Sequence, residues 1–420
     1  MKKLTIILTG LAFILLSLPG SSNAIPAFAR KYGFNCNMCH TAYTKLNDFG
    51  QRYRDNGYQI PGQEGKEKNV FDLSTPIAMR LTLGYDFYDA DHGGKSSSFN
   101  LYGFDFLAAG VLHKNISFLL IYTPRIDEPA ADYSGSNDGA NPAQLAGLES
   151  VSLIFSNIVQ DALNLRVGRF EPSYHAFSSK RSYYLFQPYE IYTLTTPANN
   201  YVFDDNQIGM EATGHFRNGF KYGLGIVNGN GANADNNTNK DVYCNLSKTF
   251  GGGDGQSAGQ RIGAFGYYGW QPADTTMGMP TPTGAFDGHG SKPFYRYGLN
   301  GSFNFSSWNI QMLYMQGVDD KVFNLVDPDK NYEYSGGLVE LDYAGALDNR
   351  LVASVLYNWT SSPSEYPENQ INAYSALARY YLGDWSAVNV ALHAEFTHRQ
   401  VGKTDKLKEN IFLLALDFAF

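Results

Sequence analysis

The sequence is poor in charge and lacks the motifs of several common protein classes. Only 17% of its 420 residues are Asp, Glu, Lys or Arg, against about 25% in an average soluble domain. Acidic residues outnumber basic ones by 40 to 32 and no basic stripe is present, which argues against a nucleic-acid partner. No catalytic triad, phosphate-binding loop or zinc-protease motif occurs. Tyr, Phe and Gly are abundant instead, at 30, 28 and 43 residues, and this composition excludes a disordered chain.

Long apolar runs are absent beyond the N-terminus. The run Leu4–Leu18 follows Lys2 and Lys3 and precedes the small residues Ser22 to Ala24. A positively charged N-terminal region, a short apolar core and small residues before the cleavage site predict a secretory signal peptide over residues 1–24. The alternative, a membrane anchor, would need ~20 apolar residues. We therefore expect a mature protein without a spanning helix.

Cysteine is scarce, and two of the three cysteines lie in Cys36-Asn-Met-Cys39-His40. Two thiols at this spacing can form thioether bonds to the two vinyl groups of a haem, and the adjacent histidine can ligate its iron. A thioredoxin-like redox pair would need a βαβ setting, and a zinc site would need a second ligand pair. The sequence therefore predicts one covalent haem c, with Cys36 and Cys39 as anchors and His40 as proximal iron ligand. Cys244 lies alone in an alternating run and is predicted to be a small apolar wall residue.

The second axial ligand of a six-coordinate haem is usually Met or His. Neither residue type occurs between His40 and Met79, and the strand register predicts that Met79 faces lipid. Weaker candidates are His215 and His393, predicted to face a barrel lumen, and His175 on the longest loop. A histidine that is merely solvated on the lumen wall or in a loop would occupy the same kind of position. We favour this interpretation for all three histidines. The sixth ligand stays open.

From Pro76 onward the apolar residues alternate with polar ones, which is typical of half-buried strands. Sixteen such segments follow, from 77–88 to 410–420, an even number as in bacterial outer-membrane barrels. With both ends periplasmic, eight long loops fall on one side and seven short turns on the other, an asymmetry that a soluble β-sandwich does not explain. The sequence predicts an all-β protein, a 16-stranded antiparallel transmembrane β-barrel over residues 76–420, in the outer membrane of a Gram-negative bacterium.

Residues 25–75 are too few for a large core and are predicted to form a short N-terminal plug that bears the haem. Tyr43, Leu46, Phe49 and Tyr53 recur at spacings of three and four. This spacing predicts one short amphipathic helix just after His40, whose aromatic face covers the haem.

The predicted outer loops carry many acidic side chains. These could concentrate a cation near the barrel mouth, or they could serve solubility alone, and the sequence favours neither. The acids are Asp89, Asp91, Asp127, Glu128, Asp132, Asp204, Asp205, Asp319, Asp320, Asp327 and Asp329.

The N-terminal residues also carry a family resemblance. Ile25–Gly33, Cys36–His40, Lys45–Gly50 and Asn56–Tyr58 together resemble the fused monohaem cytochrome c–porins of the outer membrane, known as iron oxidases of iron-oxidising bacteria. Further along, Val167-Gly-Arg-Phe and Tyr222-Gly-Leu-Gly-Ile-Val-Asn-Gly resemble phosphate-selective-type porins. One departure is visible, because Thr44 stands where the resemblance implies a proline.

The resemblance implies a one-electron oxidoreductase. Such a protein would oxidise extracellular Fe(II), or another donor, and pass the electron to a periplasmic cytochrome or copper protein across the outer-membrane lipid. Two alternatives stay open. One is an outward conduit that reduces an extracellular acceptor, and the other is a passive or selective porin with a haem-bearing plug.

Overall fold

The structure is a computed structural model. It describes residues 27–42, 44–70, 77–91, 94–124, 147–186, 188–194, 196–251, 259–272, 290–347, 350–382, 390–403 and 406–419. The predicted signal peptide lies outside the described residues. So do Tyr43 and three of the predicted loop acids, Asp127, Glu128 and Asp132.

Sixteen antiparallel strands form a closed barrel, in which each strand pairs with the next barrel strand along the chain and the last pairs with the first. The strands are β1 (Ile77–Ala90), β2 (Gly94–His113), β3 (Ile116–Tyr122), β4 (Leu148–Phe155), β5 (Asn164–Phe170), β6 (Gln207–His215), β7 (Phe220–Val227), β8 (Asp241–Phe250), β9 (Gln260–Pro272), β10 (Ser291–Phe305), β11 (Trp308–Asp319), β12 (Tyr332–Ala346), β13 (Leu351–Ser361), β14 (Ile371–Tyr381), β15 (Val390–Val401) and β16 (Leu407–Ala419). Closure leaves no exposed strand edge, as a lipid environment requires.

The predicted sixteen-stranded barrel is confirmed, and each predicted segment overlaps one barrel strand. One difference lies in the first hairpin, where the alternation predicts that the first strand ends at residue 88. Strands β1 and β2 instead continue to Ala90 and Gly94. The added residues at the start of β2 are exposed and mostly polar, so the hairpin extends as a solvated ribbon beyond the membrane.

The two faces of the barrel wall differ in polarity. Large apolar side chains point outward and are exposed, among them Leu224, Leu246, Ile262 and Leu299. This apolar belt is what a lipid-facing barrel presents. Cys244 lies on the same outer face, exposed and without a disulfide. In the described part of the chain, no helix combines the length and apolar character that a membrane span needs.

The N-terminal segment, here called the plug (residues 27–70), lies inside the barrel. It contains helix α1 (Ala27–Tyr32), a one-turn 3-10 helix at Cys36–Met38 and helix α2 (Asp48–Asp55). A two-stranded pairing of His40–Ala42 with Lys45–Leu46 separates them. Helix α2 begins later than predicted because the Asn47 side chain accepts the Gly50 amide at 2.9 Å and caps the helix there.

The plug occupies the end of the barrel where the turns are short. Gln59 Nε2 donates to Ser156 Oγ at 2.9 Å, and the Val70 amide donates to the Val111 carbonyl at 2.9 Å. Ser156 and Val111 flank the short connections β4–β5 and β2–β3. Short turns face the periplasm in bacterial barrels, so the plug enters from the periplasmic side.

The connection between β5 and β6, here called the inward loop (residues 171–206), folds into the lumen from the opposite end. Its tyrosines reach strands far from its own attachment. Tyr184 Oη donates to Ser354 Oγ of β13 at 3.0 Å, and Tyr189 Oη donates to Glu340 Oε2 of β12 at 3.1 Å. The lumen is therefore occupied from both ends, by the plug below and the inward loop above.

The topology predicts which residues face outward from the cell. In a Cys244→Ser background, cysteine at Asp329 in a long loop should be labelled by a membrane-impermeant thiol reagent on intact cells. Cysteine at Arg217 in a short turn should react only after the outer membrane is permeabilised. Both positions are exposed in the structure. The reverse labelling pattern would contradict the orientation.

Candidate functional site: a cavity beside the Cys36–His40 motif

A cavity of about 310 Å³ lies between the plug and the barrel wall. The side chains that the sequence singled out, Cys36, Cys39 and His40, all line it. Three residues of one pentapeptide thus face the same cavity.

On the plug side, the cavity is bounded by an aromatic cluster. Phe28 stacks on Tyr58 with ring centroids 5.2 Å apart and meets the edge of Tyr53 at 5.3 Å. Phe49 and Tyr53 of α2 also line the cavity, so the aromatic face predicted for this helix turns toward the Cys36–His40 motif. Aromatic rings provide a large apolar surface that a planar ligand can contact.

On the barrel side, the wall is apolar where a porin lumen is normally polar. Leu107 and Ala109 of β2 pair with Ile121 and Leu119 of β3, and all four line the cavity together with Ala78 of β1. We missed this inner apolar patch in the sequence. Its signal is the loss of alternation within 104–111 and 116–122, where apolar residues fall on both faces of the strands.

The His40 imidazole is oriented by the backbone. Its Nδ1 lies 3.2 Å from the carbonyl oxygen of Thr44, and a hydrogen bond from Nδ1 leaves Nε2 as the nitrogen that can bind a metal. Burial lowers the pKa of His40 to about 4. The ring is therefore neutral at pH 7, which is the form that ligates iron.

The motif is held against helix α2 by close backbone packing. The Asn47 amide donates to the Cys39 carbonyl at 2.9 Å, and Asn47 Nδ2 donates to the Met38 carbonyl at 3.1 Å. A Cβ atom at Gly50 would overlap the Cys39 carbonyl oxygen. Glycine is therefore required at residue 50, and α2 fixes the backbone that carries both cysteines.

The residues around the cavity fit a haem c. They provide two thiols at the attachment spacing, a neutral imidazole and apolar walls. The lining also contains more cations than carboxylates, with Arg54, Arg80, Arg166, Lys180 and Arg181 against Asp105, Glu149 and Glu171. A haem needs this combination because its macrocycle is apolar and its two propionates are anionic. Among the described residues, no group of three or more His, Cys, Asp or Glu side chains could hold a bare metal ion.

The three histidines considered as a sixth ligand make other contacts. His215 Nε2 lies 3.0 Å from Asp55 Oδ2, and His393 Nε2 lies 3.0 Å from Glu395 Oε2. His175 Nε2 lies 2.5 Å from the Phe203 carbonyl. None of the three histidines is among the residues that line the cavity.

Met79 borders the cavity beside Ala78 and Arg80, although the sequence placed it on the lipid side. Its strand neighbours Leu83 and Tyr85 are exposed on the outer face, which agrees with the predicted register. Met79 lies near the start of β1, at the barrel rim, where the cavity approaches the strand.

A buried ion pair fixes the plug to one wall. Lys45 Nζ lies 2.7 Å from Glu340 Oε1 and 2.7 Å from Asp342 Oδ2, both on β12, and all three side chains are buried. Burial alone would lower the pKa of Lys45, but the two carboxylates raise it above its usual value. The lysine is charged at neutral pH and anchors the segment between the Cys36–His40 motif and α2.

A second anchor of opposite sign lies at the other end of α2. Asp55 Oδ2 lies 2.7 Å from Lys221 Nζ on β7 and 3.0 Å from His215 Nε2 on β6. Burial would raise the pKa of Asp55, but Lys221, Arg54 and His215 bring it well below its usual range. The plug is therefore tied to two different parts of the wall.

One expectation about the acidic loops is wrong. Asp319, predicted to be a surface loop residue, is buried at the end of β11, where it pairs with Arg296 at 2.5 Å and accepts from Thr196 at 2.8 Å. Asp320 caps the next turn through the Val322 amide. The carboxylate of Asp319 faces the lumen because the strand continues farther than the polar pattern indicated. Asp91 and Asp329 are exposed as expected.

Comparison with solved structures identifies the fold. The anion-selective porin from Comamonas acidovorans superposes with a TM-score of 0.57 at 11% identity, covering 83% of this chain and 99% of that one. OmpT, an outer membrane protein of Vibrio cholerae, gives 0.54 at 10% identity, covering 83% and 100%. OprB of Pseudomonas putida gives 0.53 at 14% identity, covering 84% and 95%. The fold is that of a porin.

Sequence comparison does not assign the chain to a family. No family model matches the chain, and no curated protein is similar enough in sequence to count as a relative. The closed barrel, its apolar belt and the fold neighbours together confirm the predicted outer-membrane β-barrel. The haem-bearing plug stays a prediction.

Replacing Lys45 with Met tests the first anchor. The change leaves Glu340 and Asp342 buried without their cation, which costs roughly 3–5 kcal/mol for a broken buried pair. The free energy of unfolding in detergent, measured by urea titration, should fall by that amount, and protease should cut the plug faster.

The matched control is Lys330→Met. Lys330 also lies 2.7 Å from an aspartate, Asp327, but in an exposed loop, so no measurable loss is expected. Adding Glu340→Gln and Asp342→Asn to Lys45→Met should recover much of the loss. Equal stability of the Lys45 and Lys330 variants would contradict the anchor.

Proposed function

We propose that the chain is an outer-membrane electron conduit with a single haem c on its plug. Cys36 and Cys39 would anchor the haem and His40 would ligate its iron. The conduit would oxidise an extracellular donor, Fe(II), and deliver the electron to a periplasmic cytochrome or copper protein. When bound, the haem supplies one-electron redox chemistry.

The observation that carries the proposal is the convergence on one cavity. The attachment motif comes from the plug, and the apolar wall comes from β2 and β3, which are remote from the motif in sequence. The lumen of a solute-conducting barrel is normally polar, so leucine and isoleucine on this part of the inner face need an apolar partner. Tyr53 and Tyr58 of the plug cover part of this patch around Ala109 and Leu119. A large apolar cofactor in the cavity would bury the rest, because removing apolar surface from water is favourable.

The occupied lumen supports electron transfer over free diffusion. Between the plug and the inward loop, a polar space of about 90 Å³ is lined by residues such as Lys45, Arg54 and Arg261. Arg261 donates to both elements, to Gln51 Oε1 and to the Ala176 carbonyl, each at 3.0 Å. These contacts bridge the plug and the inward loop and narrow the passage between them.

A porin function is the second candidate, and the fold neighbours favour it. They include an anion-selective porin and the outer membrane channel DcaP of Acinetobacter baumannii. The cationic side chains beside the polar space would suit an anion. In this case the plug would serve as a gate, and ion conductance through the purified protein is the measurement that separates the two candidates.

Covalent attachment is the first test of the proposal. Protein denatured in detergent should keep one haem per chain, detected by peroxidase activity on a gel and by mass. Cys39→Ala should abolish normal attachment because one thioether is lost, whereas Cys244→Ser should leave attachment unchanged. Haem that dissociates when the unaltered protein is denatured would contradict the assignment.

Electron transfer from iron is the second test. Fe(II) should reduce the oxidised haem with one haem reduced per iron consumed, because a single haem accepts one electron. The reaction is followed optically in purified protein, with a redox-inert divalent cation as the control. A haem that stays oxidised in excess Fe(II) would rule out the iron-oxidase function.

Two other outcomes of these experiments would support the alternative functions. Reduction by a periplasmic cytochrome with reoxidation by an external ferric mineral would establish an outward conduit. High open-pore conductance that is independent of the haem redox state would establish the porin.

A further inference from the structure

The inward loop contributes side chains to the cavity from the side opposite to the periplasm. Its one-turn 3-10 helix at Ser179–Arg181 places Lys180 and Arg181 in the cavity lining. The cavity lining thus includes this turn as well as the plug and the barrel wall, which are far from it in the chain.

Thr44 ties the turn to the haem motif. Its hydroxyl lies 2.7 Å from the Arg181 carbonyl and 3.2 Å from the Ser182 carbonyl. Its own carbonyl oxygen lies 3.2 Å from His40 Nδ1. The residue that departs from the family resemblance therefore connects the proximal histidine to the inward loop, and proline could not donate this hydrogen bond.

Neither cation has a carboxylate to itself, because Lys180 has no ion-pair partner among the described residues and Arg181 shares Glu171 with Arg54. Lys180 makes no ion pair among the described residues, and its Nζ donates to Asn206 Oδ1 at 2.6 Å and to the Asp204 carbonyl at 3.2 Å. Arg181 pairs with Glu171, a carboxylate that lies 3.7 Å from the Arg54 guanidinium as well. Burial and the nearby Arg54 lower the pKa of Arg181 to about 9.

Lys180 and Arg181 are half-buried, and a cation that is partly withdrawn from water is stabilised by an anion nearby. A haem c has two carboxylates, on the edge remote from its thioether bonds. We propose that Lys180 and Arg181 bind the two haem carboxylates, so that the inward loop clamps the haem from the extracellular side. The inference rests on the proposed function, and it assigns an orientation: the carboxylate edge faces the inward loop. Arginine suits this role because its guanidinium can bind a carboxylate through two parallel hydrogen bonds.

The clamp is tested by redox titration of the full-length protein with its haem. Positive charge near a haem favours the reduced state, so Lys180→Met and Arg181→Met should each lower the midpoint potential. In the double variant, the ratio of reduced to oxidised haem at the parent midpoint should fall about tenfold, which corresponds to ~59 mV for one electron. Arg181→Lys keeps the positive charge, so its midpoint potential should stay closer to that of the parent protein.

Lys240→Met is the matched control. Lys240 is an exposed cation of a long loop that pairs with Asp235, and its loss should leave the potential unchanged. Haem content and the heat-dependent gel shift of each variant report attachment and barrel folding. Haem-loaded, folded single and double variants with the parent potential would overturn the clamp alone. A parent protein without covalent haem would overturn both the clamp and the proposed function.

Discussion

Closure of the barrel between β16 and β1 is the constraint on which the rest of the molecule depends. In lipid every backbone amide and carbonyl needs a partner, and a closed sheet satisfies them without an edge. Closure also separates an outer face from a lumen. Once this separation exists, polar and ionisable side chains can be buried in the lumen, where Lys45, Glu340 and Asp342 pair away from both lipid and bulk water.

The lumen of this barrel is packed like the interior of a soluble protein, with buried contacts between the plug and the wall. The plug is held by a lysine between two carboxylates and by an aspartate between a lysine and a histidine. Because both anchors are buried, their interaction is little screened by salt. The plug is thereby held in a fixed position relative to the barrel wall.

The inward loop gives the proposed haem site a contact on the extracellular side. Through Thr44 it is joined to the carbonyl that orients His40, and through Lys180 and Arg181 it reaches the cavity itself. A change of the loop at the cell surface would therefore act on the site through hydrogen bonds and charge. If the proposed haem is present near the periplasmic end, such an element would connect it with the exterior.

The barrel was predictable from the sequence because alternation is a local signal, repeated over every strand, and because the terminal strand shows it as clearly as the first. The Cys36–His40 motif could also be recognised in the sequence, because the chemistry it predicts depends on spacing within five residues. Burial of Asp319 and the position of the inward loop were not, because both depend on ion pairs and hydrogen bonds between residues remote in sequence. The cavity itself was decided by tertiary structure. Docking of the plug brings Phe49 to the wall that holds Leu107 and Leu119, and folding of the inward loop brings the Arg181 carbonyl to Thr44, beside the Cys36–His40 motif.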